Sequence, residues 1–339
     1  MGIFCEINLF KPCDGVFIAG STVRGMIRYA VDKEMTCTQI TVSLKGKGEL
    51  RLRRKDNDKS EQQTYWSREE YLDINNVITE TGKNTVIPIG SYETPFNFQL
   101  PYNIPPTFHY SNSTFPYDIY SNIRYHVCIK FERPGFWKFN KNFKKDIIVE
   151  SGISPRLPLE PVIYGEQKKL RQLFSRKNSI VTIKASVAKS VIAPGEKVEL
   201  EYEVTNDTNV TVKAVEIKIV EEFKFTTKSR TATQNCDVPQ TESKTGSIRP
   251  NESLAMRVDI VVPPNRKSLD FSKIVARDYF VLITVELPFP HFNARLQIPI
   301  QIGNTEESNY LQPPPPPSYW EAMGEDEKDD KDYGKDVKD

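Results

Sequence analysis

The sequence predicts an all-β protein built from two tandem β-sandwich domains. Two observations predict this fold: short segments in which apolar and polar residues alternate, and a repeat of these segments in the same order. Alternation with a period of two places one face of a strand in a core, and turn residues between short strands are typical of an immunoglobulin-like sandwich. The 339 residues are enough for two such domains.

Four segments show the alternation most clearly. Apolar residues occupy every second position over 123–131, 198–204, 215–219 and 296–302, with polar or charged residues at most positions between them. Such a strand buries one side and turns the other toward water. Each of these segments is therefore predicted to be a strand on the surface of a sandwich core.

The repeat relates the two halves of the chain. Adding 175 to the residue number takes Gly20 to Gly195 and the apolar positions of 40–44 to those of 215–219. Later segments repeat in the same order at shorter offsets. A shared turn glycine followed by strands in phase indicates two copies of one sandwich.

A proline-containing segment divides the two copies. Residues 151–179 lack the alternation, begin with three spaced prolines and continue with a basic stretch, of which 165–177 is compatible with one helical turn. We therefore expect a first sandwich at 1–150, a linker at 151–179 and a second sandwich at 180–303. Residues 304–339 form a tail that includes nine acidic and four lysine residues after position 320, and it is expected to be disordered.

Composition excludes several classes of protein. The net charge of +1 offers no general basis for binding nucleic acid, and no apolar run approaches the length of a membrane span. The N-terminus lacks the pattern of a signal peptide, and the five scattered cysteines suit a reducing, cytoplasmic compartment. No pair of cysteines has metal-ligand spacing, so neither a metal nor a cofactor is expected.

Catalytic motifs are also missing from the sequence. His126 and Cys128 are two residues apart on one predicted strand face, which would allow a Cys–His nucleophilic pair. The simpler interpretation is a half-exposed strand face. Without a glycine-rich phosphate loop or a nucleophile-elbow motif, the sequence favours a protein that is not an enzyme.

Basic residues form two groups that are candidate contacts for acidic cargo or anionic lipid. In a predicted hairpin such residues are usually a solvated edge that prevents aggregation. The first group lies in that hairpin and the second in the linker; their members are Lys45, Lys47, Arg51, Arg53 and Arg54, and Lys168, Lys169 and Arg171.

A proline tract near the end of the chain has the features of a docking peptide. Five prolines, 313–317, are followed by Ser318 and Tyr319. The prolines favour a polyproline II helix, so a partner loses little entropy on binding it, and the tyrosine offers an aromatic ring. A passive spacer is the alternative, but it does not need the tyrosine.

The tract and the repeated motifs together resemble one family. Pro316-Pro317-Ser318-Tyr319 is the Pro-Pro-x-Tyr motif bound by WW domains, and the chain up to about Gly303 resembles the α-arrestins, or arrestin domain-containing proteins. The motifs that carry the resemblance are Ile18-Ala-Gly20-Ser-Thr-Val23-Arg-Gly25, Ile87-Pro-Ile-Gly90, Pro95-Phe96, Ile104-Pro105-Pro106, Ala193-Pro194-Gly195-Glu196 and Val204-Thr-Asn206.

This resemblance implies two arrestin-type sandwiches and an adaptor function. The body would engage membrane receptors or transporters, and Pro316, Pro317 and Tyr319 would recruit a HECT-type ubiquitin ligase through its WW domains. Ubiquitinated cargo would enter endocytic or endosomal sorting, with the cytoplasmic adaptor recruited to the plasma membrane and endosomes. The alternative is an endosomal trafficking scaffold that uses the body without ubiquitin. A single Pro-Pro-x-Tyr motif departs from the family's commonest form and forgoes the avidity of two.

Overall fold

The computed structural model describes most of the chain, and every regular element in that part is a β-strand. None of the described residues forms a helix that is long and apolar enough to cross a membrane. The described residues are 2–55, 63–78, 84–114, 116–134, 140–170 and 179–304.

The described residues of the first domain form eleven strands in three sheets. A three-stranded sheet has the order β1-β3-β8, a larger sheet has the order β2-β11-β10-β5-β6 with β9 also paired to β10, and β4 pairs with β7. The strands are β1 (Ile3–Leu9), β2 (Val16–Ile18), β3 (Thr22–Val31), β4 (Met35–Cys37), β5 (Gln39–Arg54), β6 (Thr64–Val77), β7 (Thr85–Ile87), β8 (Gly90–Gln99), β9 (Phe108–Thr114), β10 (Tyr117–Glu132) and β11 (Lys141–Glu150).

In the second domain, ten strands in two sheets are formed by the residues that the structure describes. A four-stranded sheet has the order β12-β13-β15-β19, and a larger sheet has the order β14-β21-β20-β16-β17 with β18 also paired to β16. The strands are β12 (Val162–Leu170), β13 (Ser179–Val187), β14 (Val191–Ile192), β15 (Lys197–Asp207), β16 (Ala214–Thr226), β17 (Thr231–Asp237), β18 (Ser243–Lys244), β19 (Ser253–Val261), β20 (Val275–Glu286) and β21 (Ala294–Ile302).

The strand orders confirm the duplication. The path β2-β11-β10-β5-β6 of the first domain has the same connectivity as β14-β21-β20-β16-β17 of the second, including a parallel pair at one edge. The shared turn glycines have the same backbone conformation, because Gly20 has φ +84° and Gly195 has φ +88°. Positive φ favours glycine, which explains why both copies use it before the strand that follows.

The alternating segments form the cores as predicted. Tyr125, Val127 and Ile129 are fully buried in the first domain, and Ile217 and Ile298 are fully buried in the second. In each domain the smaller and the larger sheet contribute to one apolar cluster, which is the arrangement of a β-sandwich. The protein is thus all-β, with two sandwich domains.

The expected helical turn in the basic part of the linker is wrong for residues 165–170. These residues belong to β12, which pairs antiparallel with β13 from Val162 opposite Val187 to Leu170 opposite Ser179. Backbone pairing with a neighbouring strand overrides the weak local preference of this lysine-rich stretch. Residues 171–178 lie outside the described part of the chain.

An aromatic cluster joins the two domains. The ring of Tyr110 on β9 lies 4.7 Å from that of Phe223 and 4.9 Å from that of Phe225, both on β16. The hydroxyl of Tyr71 on β6 is 2.8 Å from that of Ser272, in the segment between β19 and β20. The apolar cluster of the first domain therefore continues into residues of the second.

The connecting segment after β11 is attached to the second domain by polar contacts. The backbone N–H of Ser154 donates to Asp270 at 3.1 Å, and the side chain of Arg156 lies 2.8 Å from both Asp270 and Asp278. Burial raises the pKa of Asp270, and the guanidinium of Arg156 opposes that effect. These contacts fix the course of the connector over the outer face of β20 and β21.

Candidate functional site

The basic residues predicted in the first half lie on the outer face of β5. Lys45, Lys47 and Arg51 alternate along this strand with buried core residues such as Leu44 and Leu50. Arg53 continues the row and Arg54 ends the strand. Because alternate residues of a strand share one face, four of the five predicted cations occupy one side of the larger sheet.

Neighbouring strands complete a cleft of about 600 Å³ on this face. Lys45 pairs in register with His126 of β10, and Cys128 pairs in turn with Lys144 of β11. The lining therefore comes from at least three strands, and its volume lies within the range of small-ligand sites, about 300–1,000 Å³. Lysine side chains in the lining are Lys45, Lys47, Lys130 and Lys144.

Positive charge predominates in the cleft. Its four lysines share the lining with one carboxylate, that of Glu132, which pairs with Lys130 at 2.5 Å. Lys45 is 3.1 Å from Asp73 at the edge of the cleft. Lys144 has no ion-pair partner among the described residues, so its ammonium group is available to an anion. We call the outer face of β5, β10 and β11 the cationic face.

The pKa of His126 reflects the positive charge of the cleft. Burial lowers the pKa of His126, and the ammonium groups of Lys144, Lys45 and Lys47 lower it further, against the opposing effect of Asp146. A neutral imidazole adds hydrogen-bonding groups rather than charge to the cleft. Its cationic character at neutral pH therefore comes from the lysines.

His126 and Cys128 do line the same cleft, but their chemistry does not favour a nucleophilic pair. Cys128 is 6% exposed, and burial raises the pKa of its thiol, although nearby lysines act in the opposite direction. A thiol with a raised pKa is a poor nucleophile at neutral pH. The pair is better described as part of the polar floor of the cleft.

An aromatic clamp lies further along the same face. The guanidinium of Arg51 lies 5.6 Å from the ring centre of Trp66 on β6 and 5.5 Å from that of Tyr120 on β10. Trp66 is 56% exposed. Tryptophan, tyrosine and arginine are the residues most enriched in interface hot spots, so this end of the cationic face is suited to a protein contact.

The two groups of predicted basic residues are not brought together on one sheet. Lys168 and Lys169 lie on β12, in the smaller sheet of the second domain, whereas the first group lies in the larger sheet of the first domain. Arg171 lies outside the described residues. Lys168 and Lys169 are therefore not part of the sheet that carries the cationic face.

Sequence reasoning missed two lysines of the cleft. Lys130 could have been found, because it alternates with core residues on the same strand as His126. Lys144 could not, because its position depends on the register between β10 and β11. The docking peptide residues Pro316, Pro317 and Tyr319 lie outside the described part of the chain.

Family models match both halves of the chain. The model described as arrestin (or S-antigen), N-terminal domain, matches residues 5–154. The model described as arrestin (or S-antigen), C-terminal domain, matches residues 177–307. The order of the two matches agrees with the order of the two sandwiches.

Whole-chain comparisons find similar proteins in animals. Arrestin domain-containing protein 5 of Homo sapiens is 20% identical over 319 residues, covering 89% of this chain and 88% of that protein. The Bos taurus protein of the same name is 21% identical over 331 residues, covering 91% and 94%. Arrestin domain-containing protein 17 of Caenorhabditis elegans is 23% identical over 234 residues, covering 65% and 52%.

Proposed function

This chain belongs to the arrestin family, and on that premise we propose that it is a non-enzymatic adaptor between membrane-protein cargo and WW-domain ubiquitin ligases of the HECT type. Family membership supports an adaptor or trafficking role in general. The link to a ligase depends on the sequence Pro316-Pro317-Ser318-Tyr319. The proposed place of action is the cytoplasmic side of the plasma membrane and of endosomes.

The Pro-Pro-Ser-Tyr sequence is the observation that carries the proposal. Three further prolines precede it and favour the polyproline II conformation that WW domains bind. In the chain, the motif follows residues 177–307, the segment that the second family model matches. Ligase recruitment would then leave both domains free to contact cargo.

The cationic face is the proposed contact for cargo. Its cleft offers Lys45, Lys130 and Lys144 to an acidic segment, and the clamp of Arg51 with Trp66 offers aromatic surface beside them. Charge complementarity of this kind gives specificity and speeds association. The chemistry of the cargo is accordingly an acidic cytoplasmic segment that also carries apolar side chains.

Replacing the tyrosine of the motif tests the ligase link. We expect Tyr319→Ala to abolish capture of the full chain by isolated WW domains, because a central aromatic anchor commonly contributes about 2 kcal/mol or more to binding. Tyr310→Ala is the matched control, since it removes a tyrosine from the same tail outside the motif. Undiminished capture of Tyr319→Ala would refute the link.

A sorting scaffold that acts without ubiquitin is the second candidate, favoured by family matches that lie almost wholly in the two domains. Removing residues 305–339 distinguishes the two functions. The ligase adaptor requires that cargo ubiquitination and sorting both fail in the truncated chain. Normal sorting by the truncated chain would instead establish the scaffold.

A further inference from the structure

One edge strand of the second domain has an unpaired side. β19 is the last strand of the sheet β12-β13-β15-β19, and among the described residues its backbone pairs only with β15. All nine residues of β19 follow β15 in an unbroken antiparallel register. The backbone N–H and C=O groups on the other side of β19 are therefore a template for one more strand.

The first domain protects the equivalent edge with a proline. β8 pairs with β3 as β19 pairs with β15, the two strands that follow the shared turn glycines. Pro95 of β8 corresponds to Arg257 of β19, because they lie opposite Met26 and Glu201, whose numbers differ by 175. A proline removes one N–H from an edge strand and discourages further pairing. β19 contains no proline and lacks this protection.

Apolar side chains along β19 are incompletely covered. Leu254 and Val258 pack against the core of the second domain but are only partly buried. Met256, on the same face, is 40% exposed, and Val261 on the outer face is 52% exposed. A strand added at this edge would cover these side chains, so pairing would gain apolar burial as well as backbone hydrogen bonds.

The charges of β19 are complementary to those of a second β19. Arg257 and Asp259 lie on the outer face of the strand, and both are exposed. In a two-fold antiparallel pair centred on Val258, Arg257 of each copy lies opposite Asp259 of the other. The apolar residues also meet apolar residues in this register, which places Met256 opposite Ile260, Ala255 opposite Val261 and Val258 opposite itself.

The neighbouring registers are unfavourable. Moving the centre of the pair by one residue places either Arg257 opposite Arg257 or Asp259 opposite Asp259. Like charges directly opposite each other destabilise a strand pair. Offsetting the two strands by a single residue would turn the apolar face of one copy toward the polar face of the other. The sequence of β19 therefore favours one symmetric register.

We propose that β19 pairs with β19 of a second copy of this chain, which joins two four-stranded sheets into one continuous sheet. The interface is isologous, since the same strand serves both copies. A second copy is a better partner than an unrelated strand, because it offers an opposite charge to both Arg257 and Asp259. One pair of edge strands buries less surface than a standard interface of roughly 1,600 Å², so the dimer is expected to form in the micromolar range.

Dimerisation would change how the chain meets a ligase. Each chain has one Pro-Pro-x-Tyr motif, whereas a dimer carries two. Two motifs can engage two WW domains of one ligase and so provide the avidity that a single motif lacks. This consequence rests on the proposed ligase function, but the strand pairing does not.

Sedimentation velocity of the full chain between about 1 and 200 µM tests the dimer. The native chain is expected to shift from monomer to dimer over this range. Arg257→Glu brings like charges together at both ends of the pair and is expected to weaken dimerisation about tenfold or more. Arg257→Glu/Asp259→Arg restores opposite charges and is expected to restore the dimer.

A charge reversal at the opposite edge of the same sheet is the matched control. Lys169 is an exposed cation on β12, and Lys169→Glu is expected to dimerise like the native chain. Arg257 also lies 2.9 Å from Glu199 within one chain. Thermal unfolding therefore checks that every variant remains folded.

Cross-linking gives an independent measurement of the register. In Val258→Cys the new thiols of two copies lie opposite each other, with Cα atoms about 4.5–5.5 Å apart and within reach of a disulfide. In Leu254→Cys, on the same face of the same strand, they are roughly 26 Å apart. Diamide is therefore expected to link only the Val258→Cys chains. Both variants carry Cys13→Ser, because Cys13 is an exposed thiol.

Three results would overturn the inference: a native chain that stays monomeric over the whole concentration range, undiminished dimerisation of Arg257→Glu, or equal cross-linking of the two cysteine variants. Loss of the dimer in Lys169→Glu would place the contact at β12 and would also contradict it. Tyr319→Ala is expected to dimerise normally. A failure of the ligase proposal is therefore distinguishable from a failure of this one.

Discussion

The outer faces of the two larger sheets differ, although their backbones pair in the same register. In the first domain Lys45 of β5 lies opposite His126 of β10. In the second domain Val220 of β16 lies opposite Phe280 of β20, which is the equivalent position in the repeat. Val220 is 3% exposed and Phe280 is 8% exposed, so apolar burial replaces the cationic cleft.

The difference follows from what covers each face. In the second domain the connector lies over the sheet, where Leu157 and Arg156 line the same cleft as Phe280 and Arg156 pairs with Asp278 at 2.8 Å. In the first domain the equivalent face remains an open cleft lined by lysines. The fold therefore does not require cations at these positions, which supports a binding role for them.

Exchanging one residue between the two faces should produce the largest effect. We expect Val220→Lys to lower the free energy of unfolding by about 2–4 kcal/mol, because it places an ammonium group at a buried position. The reciprocal Lys45→Val should change it by less than about 1 kcal/mol, since its pair with Asp73 is partly exposed to solvent. Urea unfolding of both variants measures the difference, and equal losses would contradict the comparison.

The two turn glycines, Gly20 and Gly195, allow a second comparison of stability between the domains. Gly195→Ala should cost about 1 kcal/mol, because only the positive φ opposes a side chain there. Gly20→Ala should cost about 2–3 kcal/mol, because its Cβ would also overlap the ring of Tyr102.

Urea unfolding in a Tyr102→Ala background separates the two causes. Without the ring, Gly20→Ala should cost about as much as Gly195→Ala, and the remaining difference measures the coupling between residues 20 and 102. A larger cost at Gly195 than at Gly20 would contradict the packing described here.

The duplicated fold could be predicted because its signals are local. Strand alternation and a turn glycine with positive φ appear in the sequence at a constant offset, as Gly20 and Gly195 illustrate. β12 could not be predicted, because its lysines and the prolines before it resemble a solvated linker. That segment is a strand because its backbone pairs with β13, and the local sequence does not reveal this pairing.

The candidate sites were predictable only in part, for a related reason. The row that contains Lys45 and Arg51 follows from alternation within β5, but Lys144 joins the cleft through the register of a separate strand.

Charge reversal on the two outer faces should have a smaller effect, on binding rather than on stability. We expect Lys144→Glu to weaken binding of a fluorescent glutamate-rich peptide about threefold to tenfold at low salt, and less at high salt. Lys224→Glu makes the same charge change at an exposed position on β16 of the second domain. Fluorescence anisotropy measures both, and an equal loss in the two variants would remove the distinction between the faces.

The smallest expected effect is on the pH dependence of stability. His126 contributes to it in the first domain, whereas Phe280, at the equivalent position of the second domain, has no ionisable group. Burial and the ammonium groups of Lys144, Lys45 and Lys47 lower the pKa of His126, with Asp146 opposing them.

The lowered pKa fixes the direction of this effect. In the unfolded chain that pKa is about 6.5, so below this pH the unfolded state binds more protons than the folded state. The stability contributed by neutral His126 is therefore complete above about pH 6.5 and is lost as the pH falls through the folded pKa. Urea unfolding from pH 7.5 to pH 5, compared between the native chain and His126→Gln, should show a shallower loss of stability in the variant. Identical profiles would mean that neither burial nor the lysines of the cleft lower the pKa of this imidazole.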